Sequence, residues 1–169
     1  DTADSSYGRV LLQLEDGIND NFTLSIQSGS SSPYDETHFG TALTPTDLQT
    51  FSHYAFRMYN DDSLLKVDFY KDGSLLESKT SLIINEITGA LQANLGALTS
   101  PARVGPDPYA ALGWGKLSGS LDEFRFWKTK RSSEEIGRYW FTQIYGGTNT
   151  DISNADLGVY FKFNEGITG

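Results

Sequence analysis

The sequence contains no cysteine, which excludes disulfide bonds, thiolate metal ligands and a thiol nucleophile. Basic residues are also few, since 13 Lys and Arg stand against 22 Asp and Glu and give a formal net charge of -9. The basic cluster in the chain is Lys128, Lys130 and Arg131, so we do not expect nucleic acid as a partner, because phosphate binding needs a cationic footprint. No apolar run approaches the roughly 20 residues of a membrane span, so we do not expect insertion into a membrane.

Glycine and aromatic residues are frequent, whereas proline is scarce. The chain has 17 glycines, 5 prolines and 13% aromatic residues, a mixture suited to strands and tight turns rather than to disorder. A chain of 169 residues has the ordinary size of one domain. We therefore expect residues 1–169 to form a single β-rich domain.

Alternating apolar and polar residues predict half-buried strands, because successive side chains of a strand point to opposite faces. In the clearest segments the apolar residues that share one face are Phe22, Leu24 and Ile26; Tyr54, Phe56 and Met58; Leu65, Val67 and Phe69, which we expect to point inward; and Leu157, Val159, Phe161 and Phe163. Asp72-Gly73 predicts a hairpin with a type I′ turn, which needs two positive φ angles. Residues 28–50 are rich in Ser, Gly, Thr and Pro and predict a long surface loop, a place where function often sits.

One segment carries helix signals. Ser132 suits an N-cap, Glu135 three residues later completes a capping box, and Ile136 and Tyr139 follow at helical spacing. The chain therefore predicts an all-β fold, an antiparallel β-sandwich with one short helix near residues 132–144.

The stretch GSLDEFRFW, residues 119–127, places two carboxylates side by side. Neighbours on a strand point to opposite faces, so Asp122 and Glu123 do not converge as a catalytic acid and base would. Glu123 shares a face with Arg125 and predicts a surface ion pair. Asp122 shares the apolar face with Phe124, so we expect it to be buried and held by backbone N–H groups, a cation, or both.

Two stretches carry a more specific signal. GKLSGSLDEFRFWKTKRSSEEI (115–136) and FSHYAFRMYNDDSLLKVDFYKDGSLLES (51–78) resemble laminin-G-like domains of the concanavalin A-like lectin/glucanase superfamily, and the resemblance covers about residues 46–142. It implies a concanavalin A-like jelly roll. Residues 156–169 resemble the segment that opens or links modules of this family, so we expect them to lead into a following module.

The resemblance implies a non-catalytic glycan-binding or adhesion module of a larger extracellular or cell-surface protein, with a glycan or a protein surface as ligand and neighbouring modules of a longer chain as partners. The superfamily also contains glycoside hydrolases, but no Glu-x-Asp-x-Glu strand is present, so we expect no enzyme. The alternative is a structural or decoration domain of a virus particle or surface fibre, located on the virion surface and without sugar binding.

If sugar binds, aromatic rings on loops should stack on it, with nearby polar groups taking the hydroxyl hydrogen bonds. The candidates are Tyr109 and Trp114 in PDPYAALGWG, and Tyr34 and His38 in the 28–50 segment. For Trp114 the alternative is an aromatic residue at the edge of the core.

The resemblance also implies a structural calcium ion, bound by loop carbonyls and Asp side chains. Asp122 is the first candidate ligand, with Asp16 and Asp20, or the pair Asp61 and Asp62, as further suppliers of oxygen. No EF-hand spacing is present.

Overall fold

The computed structural model describes residues 7–14, 22–28, 35–41, 43–80, 90–92, 120–142 and 156–163. Within these ranges the chain forms nine strands and two short helices. The strands are β1 (Tyr7–Leu14), β2 (Phe22–Ser28), β3 (Asp35–Phe39), β4 (Tyr54–Asp61), β5 (Leu64–Lys71), β6 (Ser74–Thr80), β7 (Ala90–Gln92), β8 (Phe124–Trp127) and β9 (Leu157–Phe161), and the helices are α1 (Pro45–Leu48) and α2 (Ser133–Tyr139). The predicted all-β fold is confirmed.

The strands form three hydrogen-bonded sheets within the described ranges. The first has the order β3-β2-β1-β7, the second β4-β5-β6, and the third pairs β8 with β9. All pairs are antiparallel except β1 with β7, which is parallel. The order within the second sheet follows from two consecutive tight hairpins.

The main core lies where the first sheet contacts the second through aromatic side chains. The ring centroid of Phe22 lies 5.0 Å from that of Tyr54 and 5.4 Å from that of Phe69, while Phe39 lies 5.7 Å from Phe56. Phe69 and Phe39 are fully buried. The predicted inward faces of β2, β4 and β5 are thus confirmed, whereas the jelly-roll connectivity stays a prediction.

Both hairpins of the second sheet have two-residue turns. Asp72 and Gly73 have φ angles of 49° and 79°, which confirms the predicted turn, and Asp62 and Ser63 have 49° and 72°. These turns fix the pairing of the strands, so that Tyr59 lies opposite Lys66 on the outer face.

Helix α2 contacts the outer face of the second sheet at its first turn. Its capping box between Ser132 and Glu135 is confirmed, with Glu135 N–H donating to Ser132 Oγ at 3.1 Å. The hydroxyl groups of Ser133 and Tyr70 lie 2.9 Å apart, which ties the first turn to β5. The helix ends at Tyr139, earlier than the predicted residue 144.

The prediction of one continuous loop over residues 28–50 is wrong. Asp35–Phe39 forms β3 and pairs with β2, and Pro45–Leu48 forms α1. The polar sequence DETHF shows little alternation and contributes one fully buried apolar residue, Phe39. Backbone pairing with β2 decides its structure, and periodicity does not report such pairing. Residues 29–34 and 42 lie outside the described residues.

Part of the predicted linker segment, residues 156–169, forms a strand of the third sheet. Leu157–Phe161 forms β9 and pairs with β8, while residues 164–169 lie outside the described ranges. A following module therefore stays a prediction. Neither helix of the described residues is long and apolar enough to cross a membrane.

Candidate functional site

A network of polar side chains covers the outer face of the second sheet. At its base Asp68, which is 2% exposed, accepts hydrogen bonds from Arg57 Nε at 3.0 Å and from the hydroxyl of Ser78. Burial by itself would raise the pKa of Asp68, but the hydrogen bonds from Ser78 and Arg57 outweigh it and hold that pKa below its ordinary value. Asp68 therefore stays ionised and holds the Arg57 guanidinium in place.

Tyr59 lies beside Arg57 on the same strand face, and its ring is close to several cations. The Arg57 guanidinium lies 5.0 Å from the centroid of the Tyr59 ring, Lys66 Nζ 5.8 Å and Lys130 Nζ 4.3 Å. These are cation–π distances, so the ring anchors three cations.

The segment after β8 brings further groups to the same face. Arg57 donates to the backbone carbonyl of Arg131 at 3.3 Å, which fixes the segment against β4. The Arg131 guanidinium lies 4.4 Å from the centroid of the Trp127 ring and 3.1 Å from the Glu135 carboxylate. We name the surface formed by Tyr59, Lys66, Trp127, Lys130 and Arg131 the basic–aromatic patch.

The two acidic groups near the patch differ in how many hydrogen bonds and ion pairs they make. Glu135 pairs with Arg131 and accepts from the Ser132 backbone N–H at 2.8 Å, and this bond is the main cause that lowers its pKa. Asp61, with its side chain 50% exposed, lies 3.4 Å from Lys66. The hydrogen bond with Tyr59, followed by contributions that include Asp61, raises the pKa of Lys66, which keeps it charged at neutral pH.

Lys130 differs from its neighbours because no carboxylate within the described part of the chain lies within ion-pair distance of it. It is solvent-exposed, while its ammonium group rests over the Tyr59 ring. The patch therefore presents ordered cations to solvent on a chain whose formal net charge is -9.

A second group of side chains lies at the C-terminal end of α2. His53 packs on Trp140 with ring centroids 6.0 Å apart, and its Nδ1 is buried without a hydrogen-bond partner, as is Nε of Arg125. Burial is the main cause that lowers the pKa of His53, and the charge of Arg125 adds to it, whereas Asp72 opposes it. Arg125 donates to the carbonyl of Tyr139 at 3.2 Å, so this group anchors the helix.

His38, a predicted ligand-binding residue, lies on β3 and not on a loop. Its Nδ1 is 3.0 Å from Oγ1 of Thr23, a fully buried residue, and its carbonyl accepts from Lys79. These contacts give the imidazole a structural role, and its part in ligand binding stays a prediction.

The expected burial of Asp122 is wrong. Asp122 is exposed and precedes β8, and its Oδ1 accepts from the N–H of Glu123 at 3.0 Å. Glu123 has a φ of 53°, so the extended backbone and its alternation of faces begin only at Phe124. The expected bond to backbone N–H is present, although the donor is the next residue rather than a neighbouring loop.

The pairing of Glu123 with Arg125 is confirmed, with 3.1 Å between carboxylate and guanidinium. It is not a surface pair as expected, because the Arg125 side chain is 10% exposed. The hydroxyl of Tyr160 on β9 also donates to Glu123, so this ion pair joins β8 to β9 and to the end of α2.

The remaining predicted site residues lie outside the described residues. These are Tyr34, Tyr109 and Trp114 for ligand binding, and Asp16 and Asp20 for calcium. In the described part of the chain no group of three or more His, Asp or Glu side chains is arranged to hold a metal ion. The predicted calcium site, with Asp122 as a ligand, stays a prediction.

The basic–aromatic patch was not predicted as a site, although part of its signal is local. Once the turn at Asp62-Ser63 is recognised, the register places Tyr59 opposite Lys66 and Arg57 opposite Asp68. The contribution of Lys130 requires the segment after β8 to cross β4, and no local pattern reports that crossing.

Comparison with known proteins does not assign the chain to a family. No family model matches the chain, and no curated protein is significantly similar to it. A crystal structure of residues 221–444 of an S-layer domain-containing protein from Clostridium thermocellum aligns with a TM-score of 0.38 and 16% identity. The alignment covers 79% of this chain and 63% of that one, so this chain spans less than two thirds of its length. A TM-score below 0.5 does not establish a common fold.

Proposed function

We propose that this chain is a non-catalytic binding module that recognises a saccharide through the basic–aromatic patch. The observation that carries the proposal is the ordered arrangement around Tyr59, where an aromatic ring, ammonium groups and a half-exposed carboxylate share one sheet face. Saccharide sites need such fixed donors and acceptors for hydroxyl groups. Asp68 holds the Arg57 guanidinium against the Tyr59 ring, and the same ring lies at cation–π distance from Lys66 and Lys130, so less side-chain ordering remains to oppose binding.

The absence of catalysis is part of the proposal. Several carboxylates of the described residues are engaged in structural bonds: Asp68 with Arg57, Glu123 with Arg125, and Glu77 with the N–H groups of Gly40 and Thr41. A glycosidase needs two carboxyl groups facing one bond across about 5 to 10 Å, and these three serve to join strands, a turn and a helix.

We further propose that the module belongs to a larger extracellular or cell-surface protein, as the resemblance to laminin-G-like domains implies. The virion decoration domain is the alternative. A glycan array separates the two functions, because a saccharide-binding module gives signals there and a purely structural domain gives none.

The array should compare the unmodified chain with Tyr59→Ala and with Phe51→Ala. Phe51 is 78% exposed and lies outside the patch, so it controls for the loss of an exposed aromatic ring. We expect Tyr59→Ala to remove the signals and Phe51→Ala to retain them. Tyr59→Phe keeps the ring and guards against misfolding of the alanine variant. A blank array for the unmodified chain, or equal signals from a folded Tyr59→Ala variant, would overturn the proposal.

A further inference from the structure

The accessible charge of the basic–aromatic patch differs in sign from that of the whole chain. Of its neighbouring acids, Asp68 is 2% exposed and bound by Arg57, and Glu135 is bound by Arg131 and by the capping box. The cations that remain available to a ligand are Lys66 and Lys130, with Asp61 half-exposed beside the first.

Both ammonium groups are ordered by the same ring. Lys66 Nζ lies 5.8 Å and Lys130 Nζ 4.3 Å from the centroid of Tyr59. Holding two like charges near one aromatic ring is unfavourable unless a counter-charge is present, and Asp61 at 3.4 Å from Lys66 supplies it for Lys66 alone. Lys130 is exposed and has no acidic partner within the described residues, so an anionic ligand can supply its counter-charge.

We infer that the patch selects anionic saccharides, with the carboxylate or sulfate group of the sugar bound by Lys130 and Lys66. This inference rests on the proposed function and names the ligand class of that same site. An anion here gains charge-assisted hydrogen bonds from two ordered ammonium groups. A neutral sugar gains only the hydroxyl contacts, and repulsion from the acidic remainder of the chain makes an anion elsewhere on the surface unfavourable.

The test uses charged and neutral forms of the same polymers in affinity electrophoresis. Polygalacturonate is compared with its carboxyl-reduced form, and dextran sulfate with dextran, so that carboxylate and sulfate are distinguished. We expect at least about tenfold tighter binding to one charged form than to its neutral counterpart, and a preference that weakens as salt is raised because the ammonium groups are exposed.

Lysine variants then locate the selectivity. Lys130→Gln and Lys66→Gln each remove one charge from the patch and should reduce the preference for the charged polymer about threefold or more, while the double variant should abolish it. Lys162→Gln is the matched control, since Lys162 lies 5.6 Å from the ring of Tyr160 on another sheet. Its preference should equal that of the unmodified chain.

The outcomes separate the inference from the proposed function. Equal binding of charged and neutral polymers that is lost in Tyr59→Ala would overturn the anion selectivity and leave the saccharide site in place. A charge preference that Lys162→Gln reduces as much as Lys130→Gln would overturn the assignment to this patch. No binding to any form, together with a blank glycan array, would overturn both proposals.

Discussion

Gly73 lies in the turn between β5 and β6 and packs against the C-terminal end of helix α2. Replacing it with alanine should destabilise the protein markedly. Gly73 has a φ of 79°, and a Cβ placed there would contact Cδ1 of Trp140 and lie 2.8 Å from its Nε1. A left-handed conformation costs a non-glycine residue roughly 1 kcal/mol, and overpacking costs about 1–3 kcal/mol. We expect Gly73→Ala to lower the free energy of unfolding by roughly 2–4 kcal/mol.

Urea unfolding followed by circular dichroism measures this effect, and for a chain of this size it corresponds to a fall in Tm of about 5–15 °C. Gly137→Ala is the matched control in the same interface. A Cβ there would lie 3.4 Å from the carbonyl of Gly73, an ordinary contact, and Gly137 is exposed on α2. Its replacement should stabilise the helix by roughly 0.5–1 kcal/mol, so the two Gly→Ala changes should have opposite signs.

A double-mutant cycle with Trp140→Ala separates the two costs at Gly73. Without the indole ring, Gly73→Ala should lose the clash with Trp140 and retain the backbone cost of roughly 1 kcal/mol, together with a tight contact between the new Cβ and Cα of Gly137 at 3.1 Å. If Gly73→Ala is neutral, or costs the same with and without Trp140, the contact between the hairpin and the end of α2 does not exist as described.

Two further predictions concern charged groups. Burial and the charge of Arg125 lower the pKa of His53, so the unfolded chain binds its proton more readily; stability should fall as the pH drops below about 6.5, and His53→Gln should flatten the Tm difference between pH 7.5 and pH 5. An equal Tm difference in His53→Gln would contradict this. Asp68→Ala leaves Arg57, whose side chain is 15% exposed, without its partner and should lower the free energy of unfolding by roughly 3–5 kcal/mol in urea. A loss below about 1 kcal/mol would mean that the pair behaves as an exposed one.

The pairing of the second sheet was largely predictable, because tight turns and strand alternation are local. The turn at Asp72-Gly73 and the inward faces of β4 and β5 follow from neighbouring residues alone. The capping box of α2 is equally local, since it joins residues three apart.

Predictions made from neighbouring residues were wrong where an unusual backbone angle or a distant strand determines the structure. Alternation placed Asp122 on a buried face, but the positive φ of Glu123 interrupts the extended backbone and leaves Asp122 exposed. The polar segment Asp35–Phe39 became a strand because β2 supplies its hydrogen bonds.

The sequence by itself determined the hairpins of the second sheet and, with them, the cross-strand pairs Tyr59–Lys66 and Arg57–Asp68, because a two-residue turn leaves one register for the strands it joins. Only the tertiary structure decided that Lys130 lies over Tyr59, since these residues are remote in sequence and meet through the bond from Arg57 to the carbonyl of Arg131. The candidate site thus consists of cross-strand pairs that the local sequence specifies and of Lys130, which the packing of the segment after β8 places beside them.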